Sequence, residues 1–480
     1  MDSSKSRRPA NKVIMSLLRT KTKKFCDGMI FFGGGMAALF LCWSLWRICS
    51  VGIISMPLIG SNTSSQLRVL KNPSSIVVQQ NPRENVGLKS ESGLEKKQEL
   101  QSRDEDGDQL FEKEWERSAD NFYADSDFSY SVGKTIKNWD RKRELWLKMH
   151  PHVKNYTKGG NPRILVLTGS QFQPCKNPKG DHLLLRFFKN KQDYCRLHGL
   201  DLFYNNILIH PQMITFWAKI PLVRAAMVAH PEAEWIWWID SDAIITDMEF
   251  EHPLEKYKDY NMVVHGWEKD VYVKRSWLGV NAGVFLIRNC EWSMDFMERW
   301  SAMGPLSPLY VPFAKILSDV LPDRAVTDSD DQSALVYLMI KEKKRWADKI
   351  YIENSYFFQG YWLDVVRTYE NASKWYKEME NENPVLKRRY AEKSGPMYRK
   401  MKEYYLHKRG AGISQRKPFV THFTGCQPCS GNRNKIYKAE DCLQGMERAL
   451  NFADDQVLRI YGFQRHGLLS SRVSPIAFSN

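Results

Sequence analysis

Trp235-Ile236-Trp237-Trp238-Ile239 is an unbroken apolar run, and Asp240-Ser241-Asp242 follows it without a spacer. A run this short, with no polar alternation, reads as a strand that needs cover on both faces. Such a strand lies inside a sheet with helices on either side. Arg163-Ile164-Leu165-Val166-Leu167-Thr168, ending in Gly169-Ser170, and Asp201-Leu202-Phe203-Tyr204 read as further strands. Asp181 reads as the cap of a helix that buries Leu184, Leu185, Phe188 and Tyr194, and residues 217–230 as a second helix. This alternation predicts an α/β fold, a mainly parallel sheet flanked by helices. Ligands of such sheets collect at the carboxyl ends of the strands, which singles out Gly169-Ser170 and Asp240-Ser241-Asp242.

The N-terminus divides the chain differently. Lys and Arg crowd residues 1–28, and residues 29–46 carry no charge. The positive-inside rule makes 1–28 a cytoplasmic tail and 29–59 a signal-anchor span, with Arg47 snorkelling from its end. A cleaved signal peptide is the competing reading, opposed by Trp43, Trp46 and the absence of a small-residue cleavage site after the run. Residues 60–129 are polar and charged with little periodicity, and read as a flexible lumenal stem. The catalytic domain is expected over 130–466, with 467–480 a C-terminal tail. Residues 374–409 are highly charged and read as a long solvated helical insertion. Beyond the span, Cys175, Cys195, Cys290, Cys426, Cys429 and Cys442 can pair in an oxidising lumen, and Asn62, Asn155 and Asn371 begin glycosylation sequons. The net charge of +15 is scattered, without the basic and aromatic interleaving of a nucleic-acid binder, so no nucleic acid is expected.

The carboxylates of Asp240 and Asp242 can converge on one side of a tight turn. Oxygen donors there suit Mn²⁺ or Mg²⁺, and an ion bridging them to a diphosphate would neutralise a leaving group. A lone D-x-D triplet is weak; its place after a buried strand strengthens it. His422 by itself is an isolated histidine after Phe419-Val420-Thr421, and Asp328-Ser329-Asp330-Asp331-Gln332 could be an acid-rich helix start. The spacing of His422, Cys426, Cys429 and Cys442 also permits a structural zinc site; an oxidising lumen favours disulfides that involve Cys429 and Cys442 instead.

Five ordered strings carry a resemblance: 180–191 (GDHLLLRFFKNK), 237–243 (WWIDSDA), 281–289 (NAGVFLIRN), 330–334 (DDQSA) and 422–429 (HFTGCQPC). Together they resemble glycosyltransferase family 34, which includes galactomannan α-1,6-galactosyltransferases and xyloglucan α-1,6-xylosyltransferases. The resemblance implies a GT-A fold, a UDP-sugar donor, Mn²⁺, a β-linked polysaccharide acceptor, an α-retaining reaction and single-pass type II residence in the Golgi membrane. It implies that Asp240, Asp242 and His422 hold the metal. The donor would meet Gly169, Ser170, Lys219, Asp240, Ser241, Asn281, Ala282, Gly283 and Gly425. Asp330, Asp331 and Gln332 would face the reaction centre. Retention could proceed by front-face attack or by double displacement on Asp331, the former preferred.

Asn281-Ala282-Gly283-Val284, Gln359 and Gln427 look like the galactosyl branch, whereas xylosyl members tend to carry other residues there, including a Lys in place of Gln427. Arg433, Lys435 or the metal would then compensate for the missing cation. Ile244-Ile245, Val280 and Ala325-Val326-Thr327 depart from the galactosyl pattern and leave the acceptor open. Trp267, Trp277 and Trp362 could stack on the glycan or pack inside. A homo- or hetero-oligomer with other wall-synthesis transferases is compatible with the sequence. A non-catalytic Golgi scaffold is the reading from another class, and the intact acids argue against it.

Overall fold

The computed structural model describes residues 122–477, apart from 124, 130, 158–159, 214, 387–391 and 394. The expected tail, span and most of the stem, with Asn62, lie outside these residues. Among the described residues no helix is long and apolar enough to cross a membrane.

In chain order the main elements are α1 (Trp139–Met149), β1 (Ile164–Gly169), α2 (Pro178–His198), β2 (Asp201–Asn205), α3 (Lys219–Ala229), β3 (Trp235–Ile239) and β4 (Ala243–Ile245). Then follow β5 (Met262–Gly266), β6 (Val280–Arg288), α4 (Glu291–Ser301), α5 (Tyr310–Val320), α6 (Asp331–Lys341), β7 (Ile350–Glu353) and β8 (Gly360–Tyr361). The chain closes with α7 (Tyr369–Glu382), α8 (Pro396–Lys408), β9 (Val420–His422), α9 (Ala439–Ile460), β10 (Phe463–Arg465) and β11 (Val473–Pro475).

Six strands form the main sheet in the order β2-β1-β3-β6-β5-β7. β1 runs parallel to β2 and β3, and β5 parallel to β7; β6 alone is reversed, pairing antiparallel with β3 and β5. The expected α/β architecture is therefore present as a mixed sheet. Successive strand residues alternate between two cores. Leu165, Leu167, Ile236, Trp238 and Phe285 pack on one side with Trp139, Trp217 and Trp300, while Val166, Trp235, Trp237, Ile239 and Leu286 pack on the other with Phe187, Met446 and Phe452. Double cover explains why Trp235–Ile239 carries no polar residue. A smaller sheet, β4-β9-β8, continues from β3, and Ala243 lies opposite His422 in it.

Four expectations change in detail. Helix α2 starts at Pro178 with Asn177 as its cap, the Asn177 side chain accepting from the Gly180 amide, whereas Asp181 accepts from the Cys175 amide. Its buried face is Leu183, Phe187, Asn190, Lys191 and Tyr194, while Leu185 is exposed. Residues 374–409 do not form one solvated helix, because α7 and α8 share a small core of Tyr376, Met379, Leu386, Tyr398 and Leu406. Packing also exceeds 130–466 at both ends: Phe122 is buried against Trp139 and Trp146, and β11 pairs with β10.

Candidate active site

The site lies at one edge of the main sheet, where β1 and β3 end and the reversed β6 begins. The Asp240 amide donates to the Gly283 carbonyl at 2.8 Å, which stitches the turn after β3 to the start of β6. Strand β9 then delivers His422 beside Ala243. Ligand atoms of Asp240, Asp242 and His422 all lie within 4.8 Å of one another. His422 Nε2 is 3.2 Å from Asp242 Oδ1 and 3.8 Å from Asp240 Oδ2, and its Nδ1 is 3.3 Å from Asn281 Oδ1. Two carboxylates and one imidazole form a donor set that suits Mn²⁺ or Mg²⁺. Burial alone would raise the Asp242 carboxyl, but His422 and Lys191 outweigh it and hold the group below the usual range.

Gly283 makes this convergence possible. A Cβ at that position would fall 2.2 Å from His422 Cε1 and 2.6 Å from Asp240 Oδ2. Only a residue without a side chain lets the acid and the imidazole face each other there. The Gly283 amide is held by Asn281 Oδ1 at 2.9 Å.

Lys219 opens α3 and is buried, with Nζ donating to the Ala282 carbonyl at 2.9 Å and pairing with Asp331 Oδ2 at 2.8 Å and Asp240 Oδ1 at 3.3 Å. Burial favours its loss of a proton, yet Asp240 and Asp331 hold it above the ordinary lysine range. Burial pushes the Asp331 carboxyl up to about 6; Lys219 opposes the rise, and Asp240 and Asp330 add to it. Trp238 Nε1 donates to Asp240 Oδ1 at 2.7 Å.

The acidic motif divides into different roles. Asp330 caps α6, accepting from the Ser333 amide at 2.8 Å through Oδ1, while Oδ2 meets Arg324 Nη2 at 3.0 Å. The acid-rich helix start is thus present, with Asp330 as its cap. Gln332 accepts from the Ala282 amide at 3.2 Å and Asn281 Nδ2 at 3.3 Å, and donates to the Trp277 carbonyl at 3.1 Å. Asp331 points the one carboxylate of the motif at Lys219.

Gly169 and Ser170 lie at the end of β1. A Cβ on Gly169 would approach the Asn205 carbonyl oxygen to 2.7 Å, and the Ser170 hydroxyl is 2.6 Å from the Tyr204 hydroxyl, so strand β2 already accounts for both residues. Ser241 is half-buried in the turn between the two acids. Gly425 takes φ +81° and turns the chain three residues past His422. Gln359 is buried, Gln427 is exposed, and Arg433 and Lys435 are exposed. Trp362 is buried and stacks on Phe423, so it belongs to the core; Trp267 is 48% exposed. Asn371 is exposed on α7 and Asn155 is half-buried.

The zinc alternative fails, because Cys426 is bonded to Cys442 and Cys429 to Cys175. Cys429 and Cys442 both form disulfides, each with another partner. One buried cation near Asp240 and Asp242 escaped the sequence reading. Lys191 is buried on α2, its Nζ donating to the Ala243 carbonyl at 2.7 Å; burial lowers it to about 8 against the pull of Asp242 and Asp240. Its signal was a lysine one helical turn from Phe187, on the face that packs inward.

Comparisons with known proteins identify the family. A family profile described as the galactosyl transferase GMA12/MNN10 family matches residues 160–433. Galactomannan galactosyltransferase 1 of Cyamopsis tetragonoloba is 54% identical over 358 residues, covering 74% of this chain and 80% of that protein. Putative glycosyltransferase 7 of Arabidopsis thaliana is 45% identical over 455 residues, covering 94% of this chain and 92% of that one. Probable xyloglucan 6-xylosyltransferase 1 of Oryza sativa subsp. indica is 44% identical over 347 residues, covering 72% and 70%. The chain is a glycosyltransferase and belongs to the galactosyl transferase GMA12/MNN10 family, glycosyltransferase family 34.

Proposed function

We propose that this chain is a retaining, Mn²⁺-dependent transferase of GT-A type that moves galactose from UDP-galactose, in α-1,6 linkage, onto a mannan-type backbone. The observation that carries the metal-dependent chemistry is the convergence of Asp240, Asp242 and His422 around the glycine at 283. A divalent ion held by these groups would offset the charge of the departing UDP diphosphate. Buried Lys219 pairs with Asp240 and Asp331 and holds both in place, so the acids need little rearrangement when the donor arrives. Gln332 sets the Asn281-Ala282 backbone against which the donor sugar would rest. Committed to Lys219, Asp331 is poorly placed as a nucleophile, which favours front-face attack. The anomeric carbon–oxygen bond to the diphosphate breaks, the bond to the acceptor hydroxyl forms on the same face, and the hydroxyl proton passes to the diphosphate.

The galactosyl choice rests on the 54% identity with the galactomannan enzyme and on Asn281, Gln359 and Gln427. The N-terminal pattern supports a signal-anchored, type II Golgi protein with this site in the lumen. The full-length protein, assayed with UDP-galactose and UDP-xylose on manno- and gluco-oligosaccharides, decides among the readings. Mn²⁺-dependent galactosyl transfer to the manno series is expected. Xylosyl transfer to the gluco series would replace the sugar and acceptor proposed, and neither transfer nor donor hydrolysis would favour a scaffold.

A further inference from the structure

Residues 266–279 form a rim loop beside the site that the chemistry above does not use. A single π-helical turn, Lys269–Val273, shapes it, and Arg275 within it takes φ 51°. Irregularities of this kind persist only where the surroundings hold them. Here the surroundings do. The Trp267 amide donates to the Gly279 carbonyl at 3.0 Å, and a Cβ on Gly266 would fall 2.2 Å from that same oxygen. Asp323 accepts from the Ser276 hydroxyl at 2.5 Å and the Trp277 amide at 3.0 Å, and Gln332 grips the Trp277 carbonyl. The loop is thus bolted to the reaction centre's own motif at Gln332 and to Asp323 in the segment that precedes it.

From this rigid base the Trp267 ring stands 48% exposed, and Val273 at 72% and Leu278 at 59% are exposed on the same loop. Its direction follows from register. His265 lies opposite Asn281 in the β5–β6 ladder, and opposed residues project to the same face. Trp267 comes two residues later, and its ring meets the His265 ring edge-on at 5.0 Å, which keeps it on that face. Asn281 turns its amide toward His422 and Gln332 on the same face. Across from Trp267 stands Gly279, which has no side chain to cover the indole.

A β-linked pyranose presents axial C–H groups at C1, C3 and C5 on one ring face, and these complement the electron-rich face of an indole. We infer that Trp267, on its rigid loop, is the stacking platform for a pyranose of the β-linked acceptor; this rests on the polysaccharide-acceptor reading above. Gluco- and manno-configured units share that C–H face, since the axial hydroxyl of mannose lies on the other. Trp267 therefore supplies acceptor affinity without choosing the backbone. Because the loop is already ordered, little freedom is lost on binding.

Acceptor titrations of the full-length protein with β-1,4-linked gluco- and manno-hexasaccharides test this. Trp267→Ala should raise the acceptor KM about ten-fold, equally for either backbone that is used, with the donor KM unmoved. Trp267→Phe should recover most of the loss. An unchanged acceptor KM in Trp267→Ala overturns the inference, as does a loss of donor affinity that tracks a lower melting temperature. Should the wild type transfer to neither hexasaccharide, direct binding of each still decides: about ten-fold weaker binding to Trp267→Ala upholds the platform, and equal binding removes it.

Discussion

Two buried charged clusters sit at opposite ends of the small sheet, and they are built to opposite rules. At one end, Asp242 precedes β4 and His422 ends β9; at the other, Asp247 and Glu249 follow β4 and Lys417 precedes β9. The second cluster closes on itself. Glu249 binds both Lys402 and Lys417, the latter at 3.0 Å, and Lys417 also donates to Gln456 Oε1 at 3.0 Å. Burial would raise Glu249, but the two lysines hold it far below the usual range, whereas burial keeps Asp247 above it. The first cluster does not close: Asp240, Asp242 and Asp331 face Lys219 and Lys191, and the spare carboxylate charge converges with a histidine. A network without spare charge anchors the α7–α8 insertion, and one with spare charge is ready for a cation.

The widest separation between them should come from Asp242→Ala. Turnover is expected to fall about a thousand-fold, with Mn²⁺-dependent donor binding lost and the fold intact. Calorimetry with Mn²⁺ and UDP-galactose measures both, and undiminished Mn²⁺-dependent turnover would erase the distinction. Gly283→Ala drives a methyl between Asp240 and His422, and about a hundred-fold loss of turnover should accompany weaker Mn²⁺ binding. Retained Mn²⁺ affinity in that variant would mean that the ligands converge differently.

The mirror experiment is Glu249→Ala. It strands Lys402 and Lys417 without their shared carboxylate and should cost about 3 kcal/mol in denaturant unfolding, while Mn²⁺ affinity stays unchanged. A change in Mn²⁺ affinity would couple the two ends of the sheet.

The smallest effect concerns a third kind of buried group, one that folds uncharged. His252 packs edge-on to Trp237 with both ring nitrogens unbonded, and burial, helped by the charge of His198, lowers it to about 3; burial lowers His265 to about 4. Unfolded histidines take up protons below about pH 6.5, and these folded ones do not until far lower. Their contribution to stability is therefore complete above that pH and is lost as the pH falls toward 4. His252→Phe should flatten the slope of unfolding free energy over that window by about 1 kcal/mol per pH unit. An unaltered slope would place the acid sensitivity elsewhere.

Strands were legible because double cover leaves no alternative for runs such as Trp235–Ile239. The buried face of α2 was not. Asn190 and Lys191 hold core positions there because β4 needs side-chain partners: Asn190 both accepts from the Ile245 amide and donates to its carbonyl, each at 2.8 Å, and Lys191 takes the Ala243 carbonyl. A rule that seeks apolar residues reads past them, and so it placed Leu185 inside. The metal ligands showed the opposite behaviour. Asp240-Ser241-Asp242 could be seen locally, but His422 reaches it only through the β4–β9 pairing, and no local pattern announces a contact across 180 residues. Asp330 drew a role at the reaction centre from the family resemblance and a helix start from the local pattern, and the cap is the one of the two that the structure displays.

The two disulfides meet within a single turn, Cys426 and Cys429 lying three residues apart just past His422. One bridge reaches back to the loop before α2 and the other forward into α9, so that turn is clamped from both sides. Production in a reducing cytoplasm would leave every ligand and acid of the site in the chain yet release this clamp. Recombinant preparations are therefore expected to differ in specific activity according to the host compartment, even when they are identical in mass apart from four hydrogens.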